Sequence, residues 1–217
     1  MGVSMKVFIC FALSSVIHAA FAQQEHMISF ASRQNEIAIA IQNEIPADEE
    51  GIVVKIGRSP SWVRFEKEQI VLGALEAGSS LSARFFFSLD KRAPVGIPSA
   101  IGLVIVDREG REWRKEIGIV VGPPDRFELF QNYPNPANPG TIISYQLPAA
   151  GKVTLEVYDL LGRLVETLVD EGERPAGFHE EKWDASGVAG GMYVYRLRGT
   201  TGSGKKVVEQ KRMIVLK

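Results

Sequence analysis

Apolar and polar residues alternate along much of this chain, and almost nowhere do they recur at helical spacing. Asn35–Asn43 reads Asn-Glu-Ile-Ala-Ile-Ala-Ile-Gln-Asn, with Ile37, Ile39 and Ile41 on one face of a strand. Pro46 lies in the turn that follows, and Gly51–Ile56 forms a second strand. Leu81–Leu89 puts Leu81, Ala83, Phe85, Phe87 and Leu89 inward, with Phe86 the exception on the outer face. Ala100–Val106 is an apolar run, Asp107-Arg108-Glu109-Gly110 a hairpin turn, and Glu112–Val121 places Trp113, Ile117, Ile119 and Val121 together. Short strands punctuated by frequent turns predict an antiparallel β-sandwich over residues 23–122.

The pattern resumes downstream. Thr141–Leu147, Lys152–Tyr158, Leu164–Val169, Phe178–Trp183, Met192–Leu197 and Lys206–Leu216 read as strands. Asp159–Arg163 reads as a tight turn about Gly162, Asp170–Gly177 as a polar loop, and Asp184–Gly191 as a Gly-rich turn. The expected fold is therefore all-β: two tandem immunoglobulin-like sandwiches, with a linker at 123–126 and a second domain at 127–217. Gly122-Pro123-Pro124 makes the linker short and semi-rigid.

At the entry to the second domain, Gln131–Gly140 reads Gln-Asn-Tyr-Pro-Asn-Pro-Ala-Asn-Pro-Gly. Each proline fixes its own φ, lacks an N–H donor and pushes the preceding residue out of the α region. Neither a helix nor an inner strand can run through it, and its asparagines suit turns.

The first residues follow a different rule. Lys6, the mostly apolar stretch Val7–Ala20 and the small-x-small Ala20-Phe21-Ala22 before Gln23 have the form of a secretory leader over residues 1–22. The run is short for a transmembrane helix, though an uncleaved anchor is the alternative reading. Its removal would take Cys10, the one cysteine, so the mature chain would hold no disulfide. It would also leave 24 basic residues against 26 acidic, a formal charge of −2. A charge so near neutral gives no argument for a nucleic-acid partner.

Four motifs carry a family resemblance. They are Gln131–Pro136, Val157-Tyr158-Asp159-Leu160-Leu161-Gly162-Arg163, Gly191-Met192-Tyr193-Val194-Tyr195 and Lys211–Lys217. Together they resemble the C-terminal sorting domain of type IX secretion cargo. The resemblance implies a second immunoglobulin-like sandwich that directs passage through the outer membrane. It implies that the type IX outer-membrane translocon, a sortase-like surface peptidase and surface lipopolysaccharide are partners, while the leader calls for the Sec translocon. The implied motif residues are Asn132, Pro134, Asn135, Pro136, Gly162, Gly191, Tyr193, Lys211 and Lys217. Ala137 departs from the family, which often has an aromatic there. The fold also resembles a domain of flagellar hook-capping proteins, so fold alone does not imply sorting. The first domain resembles the immunoglobulin-like domains of bacterial surface proteins, through Pro60–Val63, Val71–Gly78 and Ala93–Gly96, which implies spacing or adhesion. The protein is expected to be exported to the cell surface or released.

No catalytic constellation, metal site or cofactor is expected. His26 and His179 lack ligand spacing, and the adjacent Glu180 and Glu181 face opposite sides of a strand. Gly199–Lys206 nearly matches a phosphate loop but lacks the final Ser/Thr and joins two strands. Trp62, Trp113 and Trp183 read as core, although an exposed Trp62 would suit stacking on a sugar. From Arg196 to Lys217, seven basic residues stand against Glu209. That excess suits an acidic docking partner or simply protects an edge strand.

Overall fold

The computed structural model describes residues 6–13, 25–200, 204 and 206–216. The chain divides into two compact units, Met1–Gly122 and Pro123–Lys217. Among the described residues no helix is long and apolar enough to cross a membrane.

The first unit carries β1 (Lys6–Leu13), β2 (His26–Ile28), β3 (Asn35–Asn43), β4 (Glu49–Ile56), β5 (Val63–Phe65), β6 (Gln69–Leu75), β7 (Ser80–Leu89), β8 (Ser99–Val106) and β9 (Glu112–Val121). They form a four-stranded sheet in the order β1-β3-β7-β5 and a five-stranded sheet in the order β2-β9-β8-β4-β6. Ile37, Ile39, Ile41, Phe85 and Phe87 from the first sheet pack against Ile52, Val54, Ile101, Ile105, Ile117 and Ile119 from the second. The alternation in β7 is carried out as expected, with Ala83, Phe85, Phe87 and Leu89 buried and Phe86 exposed. Two buried asparagines tie down the ends of β3. Asn35 Nδ2 donates to Ser32 Oγ at 3.0 Å, and Asn43 Nδ2 donates to the Ala47 and Leu75 carbonyls at 2.8 and 3.0 Å. The Asp107 turn closes with Gly110 N–H on the Asp107 carbonyl, and Arg111 joins Asp107 to Glu49 Oε2, the latter at 2.6 Å.

The sheets are not purely antiparallel. β1 pairs in parallel with β3, and β2 in parallel with β9. Both partners lie far along the chain, so a hairpin cannot join them and parallel docking at an edge becomes available. The part of the apolar leader-like run from Lys6 to Leu13 has a place in the first sheet. Ala20, Ala22 and Gln23 lie outside the described residues, as does Lys217.

The second unit carries β10 (Glu128–Leu129), β11 (Gly140–Leu147), β12 (Gly151–Tyr158), β13 (Leu164–Arg174), β14 (Gly177–Asp184), a 3-10 turn at Ala185–Gly187, β15 (Gly191–Thr200) and β16 (Lys206–Val215). A three-stranded sheet β10-β11-β14 faces a four-stranded sheet β13-β12-β15-β16. Ile143, Tyr145, Leu147 and Trp183 on one side meet Val153, Leu155, Val157, Tyr195, Leu197 and Met213 on the other. The expected loop at Asp170–Gly177 is instead mostly strand, since β13 runs on to Arg174. Glu171 takes a φ of +42° there, and the pairing with β12 shifts register between Val153 and Leu155. This local bulge lets a polar segment stay in the ladder.

Candidate functional site

Gln131–Gly140 is not a free linker. It crosses the end of the second sandwich and is fastened at nearly every residue. Asn132 is buried. Its Nδ2 donates to Thr141 Oγ1 at 2.9 Å and to the Pro134 carbonyl at 3.1 Å, and Thr141 Oγ1 donates to the same carbonyl at 2.8 Å. Gln131 Nε2 donates both to Asn132 Oδ1 and to the Arg212 carbonyl, each at 2.8 Å. Tyr133 exchanges backbone hydrogen bonds with Ile142 in both directions at 2.9 Å. The Tyr133–Pro134 and Asn135–Pro136 peptides are cis.

The segment then runs along the outer edge of β16. Asn135 Oδ1 accepts the Ile214 N–H at 3.0 Å. The Ala137 N–H donates to the Ile214 carbonyl at 2.7 Å, and the Leu216 N–H donates to the Ala137 carbonyl at 2.9 Å, forming an isolated parallel bridge to Val215. The pairing stops at this one residue because Pro139, two positions on, has no N–H to give, and at Asn135 the side chain takes the Ile214 N–H in place of the backbone carbonyl. Ala137, the residue at odds with the family pattern, is fully buried at this joint. Further along, Glu209 Oε2 accepts the Leu129 N–H at 2.8 Å, so β10 also leans on β16. The first and fourth motifs thus form one physical object.

The other motif residues are placed as follows. Gly162 takes a φ of +78° in the Asp159–Arg163 turn, a conformation that suits glycine. Asp159 Oδ1 accepts the Leu161 and Arg163 N–H groups at 2.9 Å, and Arg163 Nε donates to Oδ2 at 2.6 Å. These backbone and guanidinium donors hold the Asp159 carboxyl below its ordinary range. Gly191 opens β15 opposite Val215. Tyr193 is buried, packs edge-on against Trp183 and donates its hydroxyl to the Ala189 carbonyl at 2.7 Å. Lys211 is half-buried opposite Tyr195.

Tyr195 closes the third motif, and its side chain does more than the resemblance implies. Its phenol touches both backbone groups flanking Gln131. The signal was present: Tyr193, Tyr195 and Leu197 alternate, and a tyrosine on the buried face needs a partner for its hydroxyl. Burial pushes its pKa up to about 12.

The outer face of β12, β15 and β16 carries a second constellation. Arg198 Nη2 and the Tyr158 hydroxyl both reach Glu156 Oε2, at 2.7 and 2.6 Å, while the Arg196 guanidinium lies 4.6 Å from the Tyr158 ring centre. Part of the basic excess is therefore already balanced by Glu156. Met192 and Ile214, paired across the strands, are exposed beside it.

Trp62 is half-buried and packs against the first core. Trp183 is buried, with Nε1 donating to Glu166 Oε2 at 2.8 Å. His179 stacks on Tyr145, and a ring nitrogen lies 2.9 Å from the Pro175 carbonyl. Of the stretch resembling a phosphate loop, residues 201–203 and 205 lie outside the described residues; Thr200 ends β15 opposite Lys206, and the described residues that follow are strand β16. Among the described residues no group of three His, Cys, Asp or Glu is arranged to hold a metal. A shallow notch lined by Phe127, Leu147, Val153 and Gly199 encloses only about 10 Å³, far below the roughly 300–1,000 Å³ of small-molecule pockets.

Residues 131–214 match the family model described as the secretion system C-terminal sorting domain. No curated protein matches the chain. Among solved structures the chain is similar to dimeric latent PorU from Porphyromonas gingivalis, at 16% identity and TM-score 0.35, covering 92% of this chain and 19% of that one. It is similar to CopC from Methylosinus trichosporium OB3b at 19% identity and TM-score 0.32, covering 42% and 93%. It is also similar to the CupB2 chaperone from Pseudomonas aeruginosa at 13% identity and TM-score 0.29, covering 84% and 95%.

Proposed function

We propose that the whole chain is a non-catalytic exported protein in which the second domain, whose residues 131–214 match the secretion system C-terminal sorting domain model, serves a small immunoglobulin-like cargo. The family match supports type IX targeting. The finer reading is that residues 1–22 engage the Sec translocon and are cut after Ala22, and that the second domain then presents itself to the outer-membrane translocon. A sortase-like surface peptidase acts on it there, and the cargo is released or joined to surface lipopolysaccharide. The first domain has a structural or adhesive role.

The observation that carries this reading is the clasp between Gln131–Ala137 and Ile214–Leu216. It turns two motifs, far apart in sequence, into one continuous surface: Tyr133, Pro134, Asn135 and Pro136 are exposed along its rim, with Ile214 and Leu216 beside them. A receptor that reads the motifs meets them together, and only in the folded domain.

The test is a fusion of residues 125–217 to a reporter carrying a signal peptide, expressed in a type IX-competent host. The reporter is expected at the cell surface or in the medium. A reporter that stays in the periplasm, while the domain is shown to be folded, overturns the proposal. Intact mass of the product reports both processing and any added glycolipid.

A further inference from the structure

β1 fills a position that no other described strand occupies: the free edge of β3, whose opposite edge is paired with β7. The register runs from Lys6 opposite Glu36 to Leu13 opposite Asn43, and Lys6 Nζ lies 3.5 Å from Glu36 Oε2. If residues 1–22 are removed, β3 becomes an edge strand. Open edges are normally blunted by lysine, proline, bulges or shortness. The other edges of this domain follow that rule. β2 and β5 are three residues long, and β6 meets β4 through register shifts. β3 has none of these devices: it is nine residues long, without proline or lysine, and Glu36 is its one charge.

The sequence of β3 is also nearly its own mirror. Read from either end about Ile39, it gives Asn, an acid or its amide, Ile, Ala, Ile. An antiparallel copy centred on Ile39 sets Asn35 against Asn43, Glu36 against Gln42, Ile37 against Ile41 and Ala38 against Ala40. No like charges oppose one another, and the symmetry is the self-complementary kind that a two-fold interface requires. A one-residue slip would turn the isoleucines of one copy away from the shared core face, so the register is specified.

We propose that β3 is a dimerisation edge. In the mature chain two copies pair antiparallel through Asn35–Asn43, joining β5-β7-β3 of each into one six-stranded sheet, and Lys6–Leu13 blocks that edge until the leader is removed. The partner is a second copy, since the strand complements itself and the blocking segment would leave with the leader. The inference rests on the reading of residues 1–22 as a cleaved leader. It also gives the first domain a role of its own, the pairing of exported chains.

The test compares the unprocessed chain with the chain exported to the periplasm of a host lacking type IX machinery. Intact mass reads the N-terminus, and light scattering reads the assembly. The unprocessed chain is expected to be a monomer, and a chain beginning at Gln23 is expected to show twice the monomer mass. A Gln23 chain that stays monomeric overturns the dimer. An exported chain still beginning at Met1 overturns the leader reading and with it the block. Two dimers overturn the blocking role of β1.

Gln42 is exposed, so substitutions there leave the fold intact. Gln42→Glu places a carboxylate opposite the partner's Glu36 at both ends of the interface and is expected to weaken dimerisation several-fold. Gln42→Lys is expected to tighten it several-fold. Shifts in the same direction, or no shift in either, rule out this register.

Discussion

The phenol oxygen of Tyr195 and the backbone N–H of Asn132 lie 2.9 Å apart, and the same hydroxyl donates to the Phe130 carbonyl at 2.9 Å. One buried side chain on the middle of β15 thus satisfies two backbone groups on either side of Gln131, where the chain has left β10 and prolines forbid a regular ladder. Tyr195→Phe removes both bonds without changing volume much. The expected loss is about 1–3 kcal/mol, the cost of leaving buried polar groups unpaired. Urea denaturation of the second domain measures it, and an unchanged midpoint would mean that water enters the site.

The two asparagines of the Asn-Tyr-Pro-Asn motif should respond differently. Asn132 is buried between Thr141 and Pro134, whereas Asn135 is exposed and makes one bond to the Ile214 N–H. Asn132→Ala is expected to cost about 1–3 kcal/mol, and Asn135→Ala no more than about 0.5–1.5 kcal/mol because water can replace the lost acceptor. If export fails in both variants while only the first is less stable, Asn135 is read directly by a receptor. Melting curves beside the secretion assay separate the two cases.

Gly199 is required by a neighbour and not by its own backbone. A Cβ built there would lie 2.7 Å from Phe127 Cε2. Gly199→Ala therefore forces the ring aside, at about 1–3 kcal/mol for an overpacked contact. Adding Phe127→Leu should recover part of that loss. Thermal melts of the single and double variants decide it, and purely additive losses would show that the two positions are not coupled.

Stability should fall at alkaline pH. Burial pushes both Tyr145 and Tyr195 up to about 12 from an ordinary value of 10.0. A group whose pKa is raised on folding contributes its full stabilisation below the unfolded value and loses it as pH rises through the folded one. The urea midpoint is expected to hold steady to about pH 9 and to decline between about pH 10 and 12. Tyr195→Phe should flatten that decline. Absorbance of the phenolate, followed alongside the midpoint, tests whether ionisation and unfolding coincide.

Much of the fold was legible because burial of one strand face imposes a period of two. Leu81–Leu89 shows this most directly: every second side chain faces the core, and Phe86 stands out as the exception in both sequence and structure. The strand at Val63–Phe65 was too short to show a period. The extension of β13 through Glu171 and Gly172 was hidden because a bulge breaks the alternation and the residues are polar. Lys6–Leu13 presents a deeper ambiguity. An apolar run satisfies the needs of a leader and of a sheet edge alike, and periodicity cannot choose between them. At the candidate site, the prolines and asparagines of Gln131–Gly140 were legible as a stiff crossing. What they fasten to was not, because Ile214, Arg212 and Tyr195 lie more than sixty residues away and contact them chiefly through backbone groups.

The joint at Ala137 also imposes an order in time. The ribosome delivers Gln131–Gly140 well before Ile214 and Leu216, so the opening stretch waits with unmet N–H and carbonyl groups until β16 arrives to meet them. A polypeptide interrupted before residue 206 keeps every proline and asparagine of the first motif, and its contacts to Thr141, Ile142 and Tyr195, yet lacks the strand that Gln131, Asn135 and Ala137 fasten to. The joined surface therefore exists only in a chain that has reached β16: a product truncated earlier carries the residues of the first motif without the edge that Asn135 and Ala137 pair with.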